Sequence, residues 1–170
     1  HMFRNCKFKT IILPNSVTKI SRGAFAGCKD LTSITIPNNI QTIDFSGPTY
    51  SGNSVTFEGC PLTDIKLDDN NPYFSATDGV LFNKDKTKLL RYLSSDGTNN
   101  SYTIPETVTS IGICAFYKCA NFTAINIPNS VTTIEEYAFY GCTNVTELTL
   151  SSNLTTIPNY AFSDCGYNTN

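Results

Sequence analysis

The residues with chemistry to offer here are seven cysteines and fourteen carboxylates, while the only histidine is residue 1. A cysteine can be a nucleophile, a soft-metal ligand or half of a disulfide. Ser-His-Asp and Cys-His catalysis needs an imidazole within the fold. His1-Met2 reads as an expression remnant, so the remaining chain is expected to lack one. Asp44, Glu58 and Asp64 are too scattered to nominate a paired-carboxylate site. Asp68-Asp69-Asn70-Asn71 gathers oxygen donors without the spacing of a calcium loop, and reads as a solvated turn. No catalytic, cofactor-binding or metal-ligating residue is expected, and the reading is of a non-enzyme with no cofactor.

The cysteines stand in register. Cys6, Cys28, Cys60, Cys119, Cys142 and Cys165 each follow a phenylalanine by three residues. Equivalent positions in stacked units carry parallel side-chain vectors, whereas a disulfide needs two Cβ atoms turned toward each other. Cys28, Cys60, Cys119, Cys142 and Cys165 are therefore expected to be buried free thiols behaving as small hydrophobes. Cys114 lies off that column and is the thiol expected to react first.

The column exists because the sequence repeats every 23 residues. Ile104-Pro105-Glu106-Thr107-Val108-Thr109-Ser110-Ile111, Ala115-Phe116 and Cys119 recur as Ile127-Pro128-Asn129-Ser130-Val131-Thr132-Thr133-Ile134, Ala138-Phe139 and Cys142. A further shift reaches Leu150, Leu154 to Ile157, Ala161-Phe162 and Cys165. An earlier copy runs from Leu13-Pro14 through Ala24-Phe25 to Cys28. Self-similarity at this period predicts a solenoid whose units touch mainly their neighbours.

Each unit holds a first strand of alternating apolar residues, such as Leu31, Ile34 and Ile36, ended by a proline that cannot donate to a ladder. A second short strand follows, such as Val17-Thr18-Lys19-Ile20. The unit closes with a compact Ala-Phe segment, expected to form one or two helical turns. Phe25, Phe57, Phe116, Phe139 and Phe162 are expected to fill the coil interiors.

The period breaks twice. An insertion rich in Gly, Ser and Pro occupies 44–56 and carries Phe45 and Tyr50. Over 68–101 the spacing lengthens. There Gly79-Val80-Leu81-Phe82 and Leu89-Leu90-Arg91-Tyr92-Leu93, joined by Asn83-Lys84-Asp85-Lys86, predict a β-hairpin. The aromatic stretch 72–78 before it reads as a loop. The organisation is thus one domain over 3–170, with regular repeats at 3–43 and 102–165, and it reads as a fragment of a larger protein.

The pattern Cys-x-x-Leu-x-x-Ile-x-Ile-Pro-x-x-Val-x-x-Ile-x-x-x-Ala-Phe, seen from Cys119 to Phe139, resembles the BspA-like, Treponema-type leucine-rich repeats. Asn71-Pro72-Tyr73-Phe74 through Lys84-Asp85 resembles the irregular unit such proteins insert. Ser151 and Asp68 depart from the strand-ending proline. The resemblance implies a β-rich repeat solenoid of the α/β leucine-rich-repeat class, right-handed and curved. It also implies a cell-surface or secreted protein, several relatives of which are adhesins for host matrix proteins or other cells.

With 15% charged residues and a net charge of -2, the chain has no basic footprint for nucleic acid or a membrane surface. No apolar run approaches the ~20 residues of a membrane span. The favoured reading is a protein-binding or adhesion module; the alternative is a structural spacer displaying another domain. Outward positions of the strands nominate Ser33, Thr35, Asp64, Lys66, Asn126, Glu147 and Thr149 as partner contacts. The insertion nominates Phe45 and Tyr50, and the loop at 72–78 nominates Tyr73 and Phe74. Tyr117 and Tyr140 share a column that either forms an aromatic ladder for a partner or packs laterally over the turn. Apolar end coils also predict weak, end-mediated self-association.

Overall fold

The structure, a computed structural model, describes residues 2–47, 55–68, 70–93 and 100–166. The alternating segments form short parallel strands. β1 (Thr10–Ile12), β3 (Ser33–Ile36) and β5 (Asp64–Leu67) make one front sheet, and β10 (Ala124–Asn126) and β12 (Glu147–Thr149) make another. Ile11 pairs with Ile34 and Ile34 with Ile65, so residues one repeat apart face each other across the ladder. The second segments pair likewise, β2 (Lys19–Ile20) with β4 (Thr42–Ile43) and β9 (Ser110–Ile111) with β11 (Thr133–Ile134).

The abundance of threonine and asparagine has a structural cause. Thr32, Thr132 and Thr146 each donate a hydroxyl to a carbonyl 23 residues earlier, at 3.3 Å. The amides of Asn39, Asn144 and Asn153 donate to carbonyls 24 residues earlier. These side chains satisfy backbone acceptors at the exposed corners, where the strand ladders end.

The expected helical turns are absent among the described residues. Each Ala-Phe segment carries two left-handed residues four apart: Gly23 and Gly27, Cys114 and Lys118, Tyr137 and Gly141, Tyr160 and Asp164, with φ between 55° and 75°. For a residue with a Cβ this conformation costs roughly 1–2 kcal/mol and interrupts a right-handed helix. What offsets it is the direction of the amides. Phe116 N donates to Ala138 O (2.6 Å), Lys118 N to Tyr140 O (2.7 Å) and Phe139 N to Ala161 O (2.8 Å). A helix would consume these donors internally; the turn spends them on the next coil.

The column of phenylalanines forms the core. Phe3, Phe25 and Phe57 stack with centroids 5.3 Å apart, and Phe116, Phe139 and Phe162 stack at 4.8 and 5.1 Å. Phe25, Phe57, Phe116 and Phe139 are essentially inaccessible, whereas Phe162 is half-buried.

Between these stacks lies the irregular unit. The expected hairpin is present as β7 (Val80–Asn83) and β8 (Lys88–Tyr92). A further strand precedes it: β6 (Phe74–Thr77) pairs antiparallel with β7 across the two-residue turn Asp78-Gly79. Both turn residues have positive φ, 51° and 73°, the geometry of the hairpin turn that Asp-Gly favours. The stretch 72–78 is therefore mostly strand and turn rather than loop. β8 then pairs parallel with β9, which rejoins the hairpin to the regular coils.

β8 also replaces the missing Ala-Phe turn. Tyr92 stacks on Phe116 at 5.6 Å, and Tyr92 N donates to Ala115 O at 2.8 Å, as Phe116 N does to Ala138 O. Arg91 reaches past it, and its guanidinium donates to the carbonyls of Cys114 and Tyr117. At Tyr117 O a side-chain donor stands where the regular coil supplies a backbone amide, as Lys118 N does to Tyr140 O, while Cys114 O also accepts Tyr117 N within its own turn.

Candidate binding surfaces

Strand register decides which nominated residues meet. Ser33 lies beside Asp64, and Thr35 beside Lys66, so these four form two rows of one sheet. Ser33 Oγ donates to Asp64 Oδ2 at 3.1 Å, and Lys66 Nζ sits 3.4 Å from the same oxygen. Both partners of that ion pair are at least half exposed, so it adds little stability. Ile12 extends the Thr35 row and is 78% exposed, an apolar residue amid polar neighbours. Asn126, Glu147 and Thr149 are exposed on the other front sheet. The hairpin unit separates the two sets, so they do not share one sheet face.

The aromatic nominations need correction. Phe45 is buried and packs on Phe57, its ring centroid 6.4 Å away. Phe74 is likewise buried, its strand facing the first core. Neither can contact a partner without leaving that core. Asn71 explains the placement of Phe74: its buried carbonyl oxygen accepts the amides of Tyr73 and Phe74, an Asx turn that starts β6. Tyr73 is exposed, and Tyr50 lies outside the described residues.

A tyrosine cluster emerges instead on the flank of the second half. Tyr117 stacks on Tyr140 at 5.4 Å, as the lateral alternative required, and is buried. Tyr137 stacks on Tyr160 at 4.9 Å, and Tyr137 meets Tyr140 at a tilt of 58°, joining the two columns. Tyr160 stays 48% exposed. Gly47 lies against one end of the cluster and leaves no room for a Cβ against the Tyr137 ring and Cys114 Sγ. Tyr137 and Tyr160 were legible as one repeat column; their left-handed backbone was not.

The cysteine column is reduced, with Cys28, Cys60 and Cys142 buried and Cys6, Cys119 and Cys165 half-buried. Cys28, Cys60, Cys142 and Cys165 are free thiols whose Sγ donates to a turn carbonyl of the preceding coil, at 2.8–3.3 Å. They are thus hydrogen-bond donors as well as small hydrophobes. Cys119 is free and half-buried. Burial pushes the Cys60 and Cys114 thiols up to about 12. Cys114 is fully enclosed, contrary to the expectation that it reacts first, because its off-column slot lies under Val55 and Tyr117.

The family model of the BspA type leucine rich repeat region matches residues 1–76 and 92–170, in six copies. The chain belongs to the BspA-type leucine-rich repeat family. The unmatched residues coincide with the hairpin of the irregular unit. Three crystal structures share the fold. The pneumococcal vaccine antigen PcpA is 24% identical, with a TM-score of 0.71 over 91% of this chain and 42% of that one. A leucine-rich repeat protein from Eubacterium ventriosum is 24% identical, with a TM-score of 0.69 over 94% and 46%. A leucine rich cell surface protein from Faecalibacterium prausnitzii is 26% identical, with a TM-score of 0.67 over 96% and 47%. The chain spans under half the length of each of these structures. No curated protein matches it.

Proposed function

We propose that these BspA-type repeats are a non-catalytic protein-binding module of a cell-surface or secreted protein, contacting a host matrix protein or another cell. The observation that carries this reading is the family match over nearly the whole chain, joined to a 26% identical relative described as a cell surface protein. Family and fold are generally non-catalytic. Two surfaces support it. The flank cluster ending at Tyr160 offers the residue type enriched in binding hot spots. The row Ile12, Thr35 and Lys66 offers an exposed apolar residue beside a charge. No helix among the described residues is long and apolar enough to cross a membrane.

Surface biosensing against a panel of immobilised matrix proteins tests the reading. Saturable binding to one of them, weakened several-fold by Tyr160→Ala or Lys66→Glu, is expected. A flat response across the panel and to whole cells favours the spacer reading, which the short, weakly charged side chains of the front sheets also suit.

A further inference from the structure

A cleft of about 500 Å³ opens where the phenyl column is interrupted, with Phe57 on one wall and Tyr92 on the other. Arg91 lines it and is 5% exposed. Lys118 and Glu58, paired at 2.7 Å, stand at its mouth, more exposed than Arg91.

The charge count is unbalanced. Glu58 is matched by Lys118, and among the described residues no carboxylate lies within salt-bridge distance of Arg91. Two carbonyls accept from its terminal nitrogens, but its buried Nε has no hydrogen-bond partner. Burying an uncompensated cation is costly, and an unmade bond on a charged group costs more than one on a neutral group. An anion drawn into the cleft against the guanidinium would compensate the charge and, with Nε turned toward it, supply the missing acceptor. Regular coils have no such position, because there a phenylalanine turn fills the space and a backbone amide of the neighbouring coil, Lys118 N on Tyr140 O, takes the carbonyl equivalent to that of Tyr117.

We infer that the cleft between Phe57 and Tyr92 is a carboxylate-binding site that takes an acidic side chain of a peptide segment, its apolar stem between the two rings and its carboxylate on Arg91. The inference stands on the cleft and the buried guanidinium, independently of the adhesion reading. An acidic side chain fits better than a small inorganic anion because most of the cleft surface is apolar and would stay wet beneath a bare ion.

Nitrogen-15 NMR of the chain tests this directly, since Arg4, Arg22 and Arg91 are its only arginines and their Nε–H signals are few enough to assign. Acetyl-Leu-Glu-Leu-amide should shift the Arg91 Nε signal saturably. The glutamine counterpart should bind at least about tenfold more weakly, the loss of one charge-assisted hydrogen bond. Lys118→Gln, an exposed change, should weaken the glutamate peptide while leaving the fold intact. Arg91→Met should abolish binding; if it unfolds the chain, the Arg91 signal and Lys118→Gln still decide. An unmoved Arg91 signal, equal binding of the two peptides, or the same shift from sodium sulfate at equal concentration overturns the proposal. Stronger binding of acetyl-Leu-Leu with a free terminus than of the glutamate peptide overturns it in favour of chain-end capture.

Discussion

Cys28, Cys60, Cys142 and Cys165 each donate a thiol proton to a carbonyl of the preceding coil, so ionisation removes a bond between coils as well as burying a charge. Burial raises Cys28, Cys60 and Cys114, and Cys142 is raised by its hydrogen bond with Cys165 and then by burial. Because the folded chain holds these protons more tightly, stability is full below the ordinary thiol value near 9 and is lost as pH rises toward about 12. Denaturant midpoints should therefore fall steadily above about pH 9, and Cys60→Ala should reduce that fall. In native protein, maleimide should label the half-buried Cys6, Cys119 and Cys165 before Cys28, Cys60, Cys114 and Cys142. Early labelling of Cys114, or a Cys119–Cys142 disulfide in mass spectra, would contradict this assignment.

At the scale of the element, the stacked rings carry the coil interiors. Phe139 is sandwiched between Phe116 and Phe162, so Phe139→Ala should cost about 3–5 kcal/mol through the cavity it leaves. Phe162→Ala should cost less, because its ring is half-buried with a neighbour on one face among the described residues. Tyr92→Ala should resemble Phe139→Ala, because Tyr92 stands in the phenylalanine place and packs on Tyr102, Phe116 and Phe122. Chemical denaturation of the three variants ranks them. Equal losses for Phe139→Ala and Phe162→Ala would contradict this ranking, and a negligible loss for Tyr92→Ala would break its equivalence with the phenylalanine positions.

At the scale of the whole molecule, the two larger apolar cores among the described residues have the hairpin between them. Val80, Phe82, Leu89 and Tyr92 join the second core, while Phe74, Leu81 and Leu93 join the first. Alternate residues of β7 thus face opposite halves, which is why that strand is buried on both sides. At the outer coils, Ile12, Leu148, Leu150 and Ile157 are exposed, Ile157 at 59%. We expect weak, concentration-dependent association through these coils, because unpaired parallel strands with apolar neighbours invite another copy. Multi-angle light scattering should show apparent mass rising with concentration, and Leu150→Lys with Ile157→Lys should suppress it. A strict monomer at millimolar concentration refutes the expectation.

The 23-residue recurrence by itself determined the solenoid, the strand pairing and the columns of Phe and Cys, because in a repeat fold equivalent positions must meet one coil apart. It could not determine how the Ala-Phe segment closes. Helix and turn use the same residues, and the choice rests on amides that bond to the next coil, a partner outside any local window. The same limit hid Phe45 and Phe74, aromatic residues in apparent loops that the core reclaimed. It also hid the role of Arg91 and Tyr92. Leu89-Leu90-Arg91-Tyr92-Leu93 read only as a hairpin strand, and it took the stacking of β8 against the next coil to put the Arg91 guanidinium on the carbonyls of Cys114 and Tyr117. The cleft followed from that same contact, because one strand stands where a turn would have filled the space.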